Sequence, residues 1–202
     1  MTRYLIDIRQ MGAVKRQISA LSRDLQETFD LGTMLVVPHI TLAGPFSTDD
    51  ENRLVHDFAQ VCGGQEEAPH YEVGGYGFFE KTRVVFVEIT PDEALRQFRY
   101  RLAQAIVPYC ILREYDRVSA EEFRFHSTLA MKLNRLTFLR IKWHFRHQEP
   151  VSPWYPPDPG NTAEKFPDPL RIRFFAGAYA HPYSGRGAGD TGAGQQGASG
   201  LG

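Results

Sequence analysis

Apolar positions along this chain follow two spacings, strand-like and helical, and the two occur twice in the same order. YLIDI (4–8) has the compact apolar character of a strand, and Val14, Ile18, Leu21, Leu25 and Phe29 then recur on one helical stripe. VVFVEI (84–89) and the stripe Leu95, Phe98, Leu102 and Ile106 repeat that prelude. Each prelude leads into a strand-like segment, VVPHITLAGPF (36–46) and FRFHSTLAMKL (123–133). Such a repeat predicts an internal duplication, one copy per structural half.

The intervening segments have their own signals. A helix is predicted over 49–62 from Leu54, Val55, Phe58 and Val61, with Thr48 and Glu51 at capping-box spacing. For a helix over 91–107, Thr90 is the expected N-cap, Pro91 the first helical residue, Glu93 the completing acid and Pro108 the stop. YEVGGYGFF (71–79) reads as a strand whose glycines predict a bulge or a close approach to the backbone, and EKT (80–82) as a turn. The pattern over 134–148 fits either a helix or a strand. Prolines crowd 150–169 and exclude a regular element there, while 170–180 suits a final strand. Residues 184–202 are almost all small and polar, a composition expected to stay disordered. The expected organisation is one bilobal domain over 1–183, with a core at 1–148 and an irregular Pro-rich stretch at 149–169.

Composition narrows the classes. Hydrophobic residues make up 42% of the 202, enough for a core. A net charge of −1 argues against gripping long nucleic acid by bulk charge, but suits a short RNA end or a nucleotide in a local basic cleft. Cys62 and Cys110 form no CxxC and are expected to be free thiols in a reducing cytoplasm. The N-terminus has no signal-peptide core, and no apolar run approaches the ~20 residues of a membrane span. A cytoplasmic monomer without membrane contact is expected.

The chemistry lies in HITL and HSTL. Strand side chains alternate, so His39 and Thr41 share one face while Ile40 and Leu42 point to the other. His126 and Thr128 likewise share a face, opposite Phe125, Ser127 and Leu129. A lone His-x-Thr is usually a strand histidine satisfied by a neighbour; two copies with matching flanks are a different observation. Imidazoles titrate near working pH, at about 6.5, and serve as acid or base. Threonine hydroxyls donate to phosphate oxygens. Two of each across a cleft make an acid–base site for phosphoryl chemistry with no cofactor and no metal.

HITL and HSTL, with the middle section VGGYGFFEKTRVVFVEITPDEALRQFRYRL (73–102), resemble the 2H phosphoesterase superfamily in its 2′-5′ RNA ligase and cyclic phosphodiesterase group. The resemblance covers roughly residues 1–135. It implies an α+β fold of two pseudo-symmetric lobes, each an antiparallel sheet with helices packed outside, around a central cleft. It implies a metal-independent phosphoesterase that hydrolyses an RNA or nucleotide 2′,3′-cyclic phosphate to a 2′-phosphate, with reverse 2′-5′ RNA ligation. RNA ends or cyclic nucleotides are then the partners. His39 and His126 become the proton-transfer pair, with exchangeable roles, and Thr41 and Thr128 the phosphate donors. The alternatives are a nucleotide- or RNA-binding module of the same fold and a phosphodiesterase for a small cyclic nucleotide.

Further substrate contacts are weighed against plainer roles. Arg124, on the strand face of His126, is a candidate phosphate cation or a solvated edge arginine. Lys132 and Arg135 are candidate backbone contacts or surface charge. Phe46, Tyr76 and Phe79 are candidate base-stackers or core, with Tyr76 preferred because glycines flank it. His144 and His147 lack a further ligand nearby, and His56 and His70 read as surface histidines. VGGYG lacks the Lys-Ser/Thr of a P-loop, and GRGAG is low complexity.

Overall fold

The computed structural model describes residues 3–32, 37–65, 69–146 and the backbone of 171–175. The predicted Pro-rich stretch at 149–169, the tail and His147 lie outside the described residues. The elements run β1 (Arg3–Arg9), α1 (Gly12–Phe29), β2 (His39–Ser47), α2 (Glu51–Gly63), β3 (Tyr71–Phe79), β4 (Val84–Pro91), α3 (Glu93–Ile106), a short 3-10 turn (Glu114–Asp116), β5 (His126–Ala130), α4 (Arg135–Arg146) and β6 (Arg171–Phe175). The ambiguous stretch after the second motif is thus a helix, and part of 170–180 is a strand.

The strands form two antiparallel sheets, ordered β2-β1-β6 and β3-β4-β5. This is an α+β architecture with the expected twofold repeat: β1-α1-β2 matches β4-α3-β5. Among the described residues, the motif strands β2 and β5 are the edge strands of their sheets, and they lie against each other. The buried Ser127 hydroxyl donates to Gln10 Oε1 (2.6 Å), fastening β5 to the end of β1.

The helices cross over between the halves. Tyr4, Ile6 and Ile8 of β1 and Ile40 and Leu42 of β2 pack on Leu95, Phe98, Leu102 and Ile106 of α3, which belongs to the second half. Val85, Val87 and Leu129 of the second sheet pack on Ile18 and Leu25 of α1, which belongs to the first, and on Phe138 and Ile141 of α4. The predicted stripes are therefore core stripes, each covering the opposite sheet. Burying one such side chain stabilises by about 1.5–3 kcal/mol.

Both motif strands carry a bulge at the same place. In β2 the register passes from Thr41, opposite Asp7, to Ala43, opposite Ile6, skipping Leu42. In β5 it passes from Thr128, opposite Phe86, to Ala130, opposite Val85, skipping Leu129. A bulged residue drops out of the ladder, and a buried carbonyl there needs another donor. Arg99 Nε of α3 donates to the Leu42 carbonyl (3.1 Å), and Ser22 Oγ of α1 donates to the Leu129 carbonyl (2.8 Å). Arg99 is fully buried. It also donates to the carbonyls of Tyr115, Asp116 and Val118 and lies 3.6 Å over the Phe123 ring. The Asp116 carboxylate sits 3.8 Å away and accepts from the Gly44 N–H. Burial pushes Asp116 up to about 6, against the pull of that N–H and of Arg99.

The helix starts differ from the sequence expectation. Asp50, not Thr48, caps α2 by accepting from Arg53 N (3.0 Å); Thr48 instead accepts from Asp50 N and donates to the Tyr109 carbonyl. Asp92, not Thr90, caps α3 by accepting from Leu95 N (2.7 Å). Thr90 and Pro91 remain in β4 because they pair with Glu72 and Tyr71. The β3 glycines divide as expected: Gly75 sits at a bulge with φ +63, and a Cβ on Gly77 would lie 2.0 Å from the Phe86 ring. Cys62 and Cys110 are free thiols, and burial raises both, Cys110 to about 11. Among the described residues no helix is long and apolar enough to cross a membrane.

Removing either cross-half donor should destabilise the fold without touching the cleft. Ser22→Ala leaves the Leu129 carbonyl unpaired and should cost about 1–3 kcal/mol in urea unfolding. Arg99→Met also strands the Asp116 carboxylate and should cost about 3–5 kcal/mol, less when combined with Asp116→Asn. A Ser22→Ala stability within about 0.5 kcal/mol of wild type would mean the bulged carbonyl is satisfied some other way.

Candidate active site

The two motifs alternate in burial as strand geometry requires. Ile40, Leu42, Ser127 and Leu129 are fully buried, whereas His39, Thr41, His126 and Thr128 are half-buried. Strands β2 and β5, which carry the two pairs, lie against each other.

The histidines are held alike. His39 Nδ1 donates to the Val37 carbonyl (2.7 Å), and His126 Nδ1 donates to the Arg124 carbonyl (3.0 Å). A carbonyl only accepts, so Nδ1 carries the hydrogen and the lone pair of the neutral ring is on Nε2. Burial holds His126 below the ordinary imidazole value. The Arg124 carbonyl opposes that shift, and the charges of His39 and Arg124 add to it.

The second lobe gives His126 an aromatic wall. Phe79 meets its ring edge-on at 4.9 Å, and Phe86 lies at 5.2 Å. Phe86 is fully buried, in the room left by Gly77.

The other proposed contacts are placed differently from the expectation. Arg124 pairs with Glu88, which stands directly opposite His126, and lies 4.9 Å over Phe86. That pair is half-exposed, and the Arg124 charge still acts on His126. Tyr76 points to the back of its sheet and stacks on Phe145 of α4 at 3.8 Å. The Gly75 bulge shifts the alternation, so Gly77 and Phe79, not Tyr76, take the His126 face. Phe46 is buried against Tyr4 (5.9 Å) and has no face open to a base. Arg135, His56 and His70 are exposed, and His144 packs edge-on against Phe29. Among the described residues, no three His, Cys, Asp or Glu side chains cluster as a metal site.

Two polar residues of β1 stand beside the first motif. Register sets Arg9 opposite His39 and Asp7 opposite Thr41. The period-two pattern of RYLIDIR carries the signal, with Tyr4, Ile6 and Ile8 inward and Leu5, Asp7 and Arg9 on the other face. Only the strand pairing shows which residues they stand beside.

Over 94 residues the chain is 22% identical to a Geobacillus sp. (strain WCH70) protein that carries a provisional phosphoesterase name. The match covers 46% of this chain and 54% of that protein, so the chain spans about half the length of the curated relative it matches. The profile of the 2′-5′ RNA ligase superfamily matches residues 13–155, which takes in both His-x-Thr motifs. The chain belongs to the 2′-5′ RNA ligase superfamily, the 2H phosphoesterases.

Proposed function

We propose that this chain is a metal-independent phosphodiesterase that opens a 2′,3′-cyclic phosphate at an RNA end or on a nucleotide and leaves a 2′-phosphate. The observation that carries this reading is the pair of histidines on facing edge strands, each with Nδ1 held by a carbonyl of its own strand. That arrangement gives one neutral ring with its Nε2 lone pair as base and one protonated ring as acid. A water oxygen attacks phosphorus while the base takes its proton. The bond from phosphorus to O3′ breaks, and the acid protonates O3′. Thr41 and Thr128 donate to the non-bridging oxygens as charge builds. With an RNA 5′-hydroxyl attacking phosphorus in place of water, the same steps break the bond to O3′ and form a 2′-5′ linkage. Hydrolysis dominates because water greatly outnumbers RNA ends.

The direct test is incubation with a short RNA ending in a 2′,3′-cyclic phosphate, with EDTA present, followed by product analysis. A 2′-phosphate product is expected. Binding without turnover would instead make the chain a binding module of this fold.

His39→Ala and His126→Ala should each lower turnover by about 10²–10⁴-fold while circular dichroism stays native. Near wild-type activity in either variant would exclude the two-histidine mechanism. Thr41→Val and Thr128→Val should cost less, on the order of 10²-fold.

The pH profile gives an independent check. His126 titrates below the ordinary imidazole value, so one limb of the bell-shaped kcat/KM profile should lie below about pH 6.5. If His126 is the base, that limb is the acid one, because protonation removes the lone pair. If it is the acid, activity falls above that pH, because the proton to be given is lost. Two limbs both above pH 7 would contradict either assignment.

A further inference from the structure

Within this reading of the site, we propose that Arg9 is a further substrate-binding residue, the cation that anchors the phosphate beside His39. In an antiparallel pair, directly opposed residues share a face with their Cβ atoms about 4.5–5.5 Å apart. Arg9 and His39 are such a pair. The chain leaves β1 at Arg9, and the next residue, Gln10, donates its N–H to the Pro38 carbonyl, which fixes this strand end beside the first motif.

The side chain is half-buried, and its Nε is out of reach of water without a hydrogen-bond partner among the described residues. A shielded guanidinium donor without an acceptor is costly, and native structures rarely keep one without a use. Asp7, two residues earlier on the same face, is not its partner among the described residues. An arriving phosphate would supply the missing acceptor, and a guanidinium fork matches two phosphate oxygens at once.

Two other arginines near the motifs have partners of their own: Arg124 pairs with Glu88, and Arg99 is sunk behind Leu42. The second lobe has no equivalent of Arg9, because Glu88 takes the place opposite His126. Arg9 would therefore draw the phosphate to the His39 side and give a pseudo-symmetric site one preferred substrate orientation.

The test compares wild type, Arg9→Met and Arg9→Lys, each as the full chain, in two measurements. Calorimetry would follow binding of inorganic phosphate and of adenosine 2′-monophosphate. Kinetics would follow kcat and KM on RNA with a 2′,3′-cyclic end. Arg9→Met should bind both ligands at least about tenfold more weakly, as expected for losing a charge-assisted hydrogen bond. Its kcat/KM should fall about 10²-fold. Arg9→Lys should recover part of the binding, since it keeps the charge but not the fork. The melting temperature of Arg9→Met should not fall, whereas a merely structural arginine would lower it. Phosphate binding by Arg9→Met as tight as wild type, or no phosphate binding by wild type, would overturn the proposal. Arg9-dependent phosphate binding by a wild type that leaves the cyclic end intact would support Arg9 and reject the phosphodiesterase reading. Turnover by wild type with Arg9→Met equally active would do the reverse.

Discussion

A strand that bulges inside a protein leaves a carbonyl without a ladder partner, and here the same residue bulges in both motifs. Leu42 and Leu129 each end a His-x-Thr-Leu segment, and each lies in a fully buried core. Their carbonyls are satisfied by Arg99 and Ser22, which sit on the helices that have crossed from the opposite half. Neither half can therefore complete its own motif strand. The helix exchange that buries the apolar faces also supplies the polar donors, so the two cores and the two motifs depend on one arrangement.

Pinning the back of each strand fixes what its front presents. With Ile40, Leu42, Ser127 and Leu129 turned inward, period-two geometry puts the imidazoles and hydroxyls on the cleft side. The carbonyls of Val37 and Arg124 then orient the rings through Nδ1. The twofold repeat is close in this machinery and fails in its surroundings. Among the described residues, His126 has two phenyl rings and the Glu88–Arg124 pair beside it, and Arg9 stands opposite His39. The motif is thus duplicated, and its described surroundings are not.

The sequence was most legible where one physical period dominated. The stripes on α1 and α3, the alternation across HITL and HSTL, and the repeated strand–helix–strand order were all readable from spacing alone. The glycines of β3 were readable as special backbone, but not which of them served which purpose. Where neighbours in space decided the outcome, spacing failed. Asp92 takes the cap from Thr90 because β4 pairs with β3 as far as Pro91, and Asp50 takes it from Thr48, whose hydroxyl is engaged by Asp50 N and the Tyr109 carbonyl. Tyr76 was favoured for its open flanks, and the Gly75 bulge turned it to the back of the sheet. Arg124 looked like a phosphate cation because the strand that carries Glu88 is far away in sequence. Arg9 was passed over for the same reason.

Charge links these observations to binding. A chain with a net charge of −1 exerts little long-range attraction on a polyanion, so recognition depends on contacts inside the cleft. There the few polar groups matter more than their number suggests, because a partly dehydrated site strengthens each electrostatic contact. Two hydroxyls, two rings of fixed tautomer and a guanidinium can address one phosphate and its two ester oxygens. They do not extend along a nucleic-acid backbone. That favours a substrate recognised at a single phosphate, such as a chain end or a nucleotide, over one held along many.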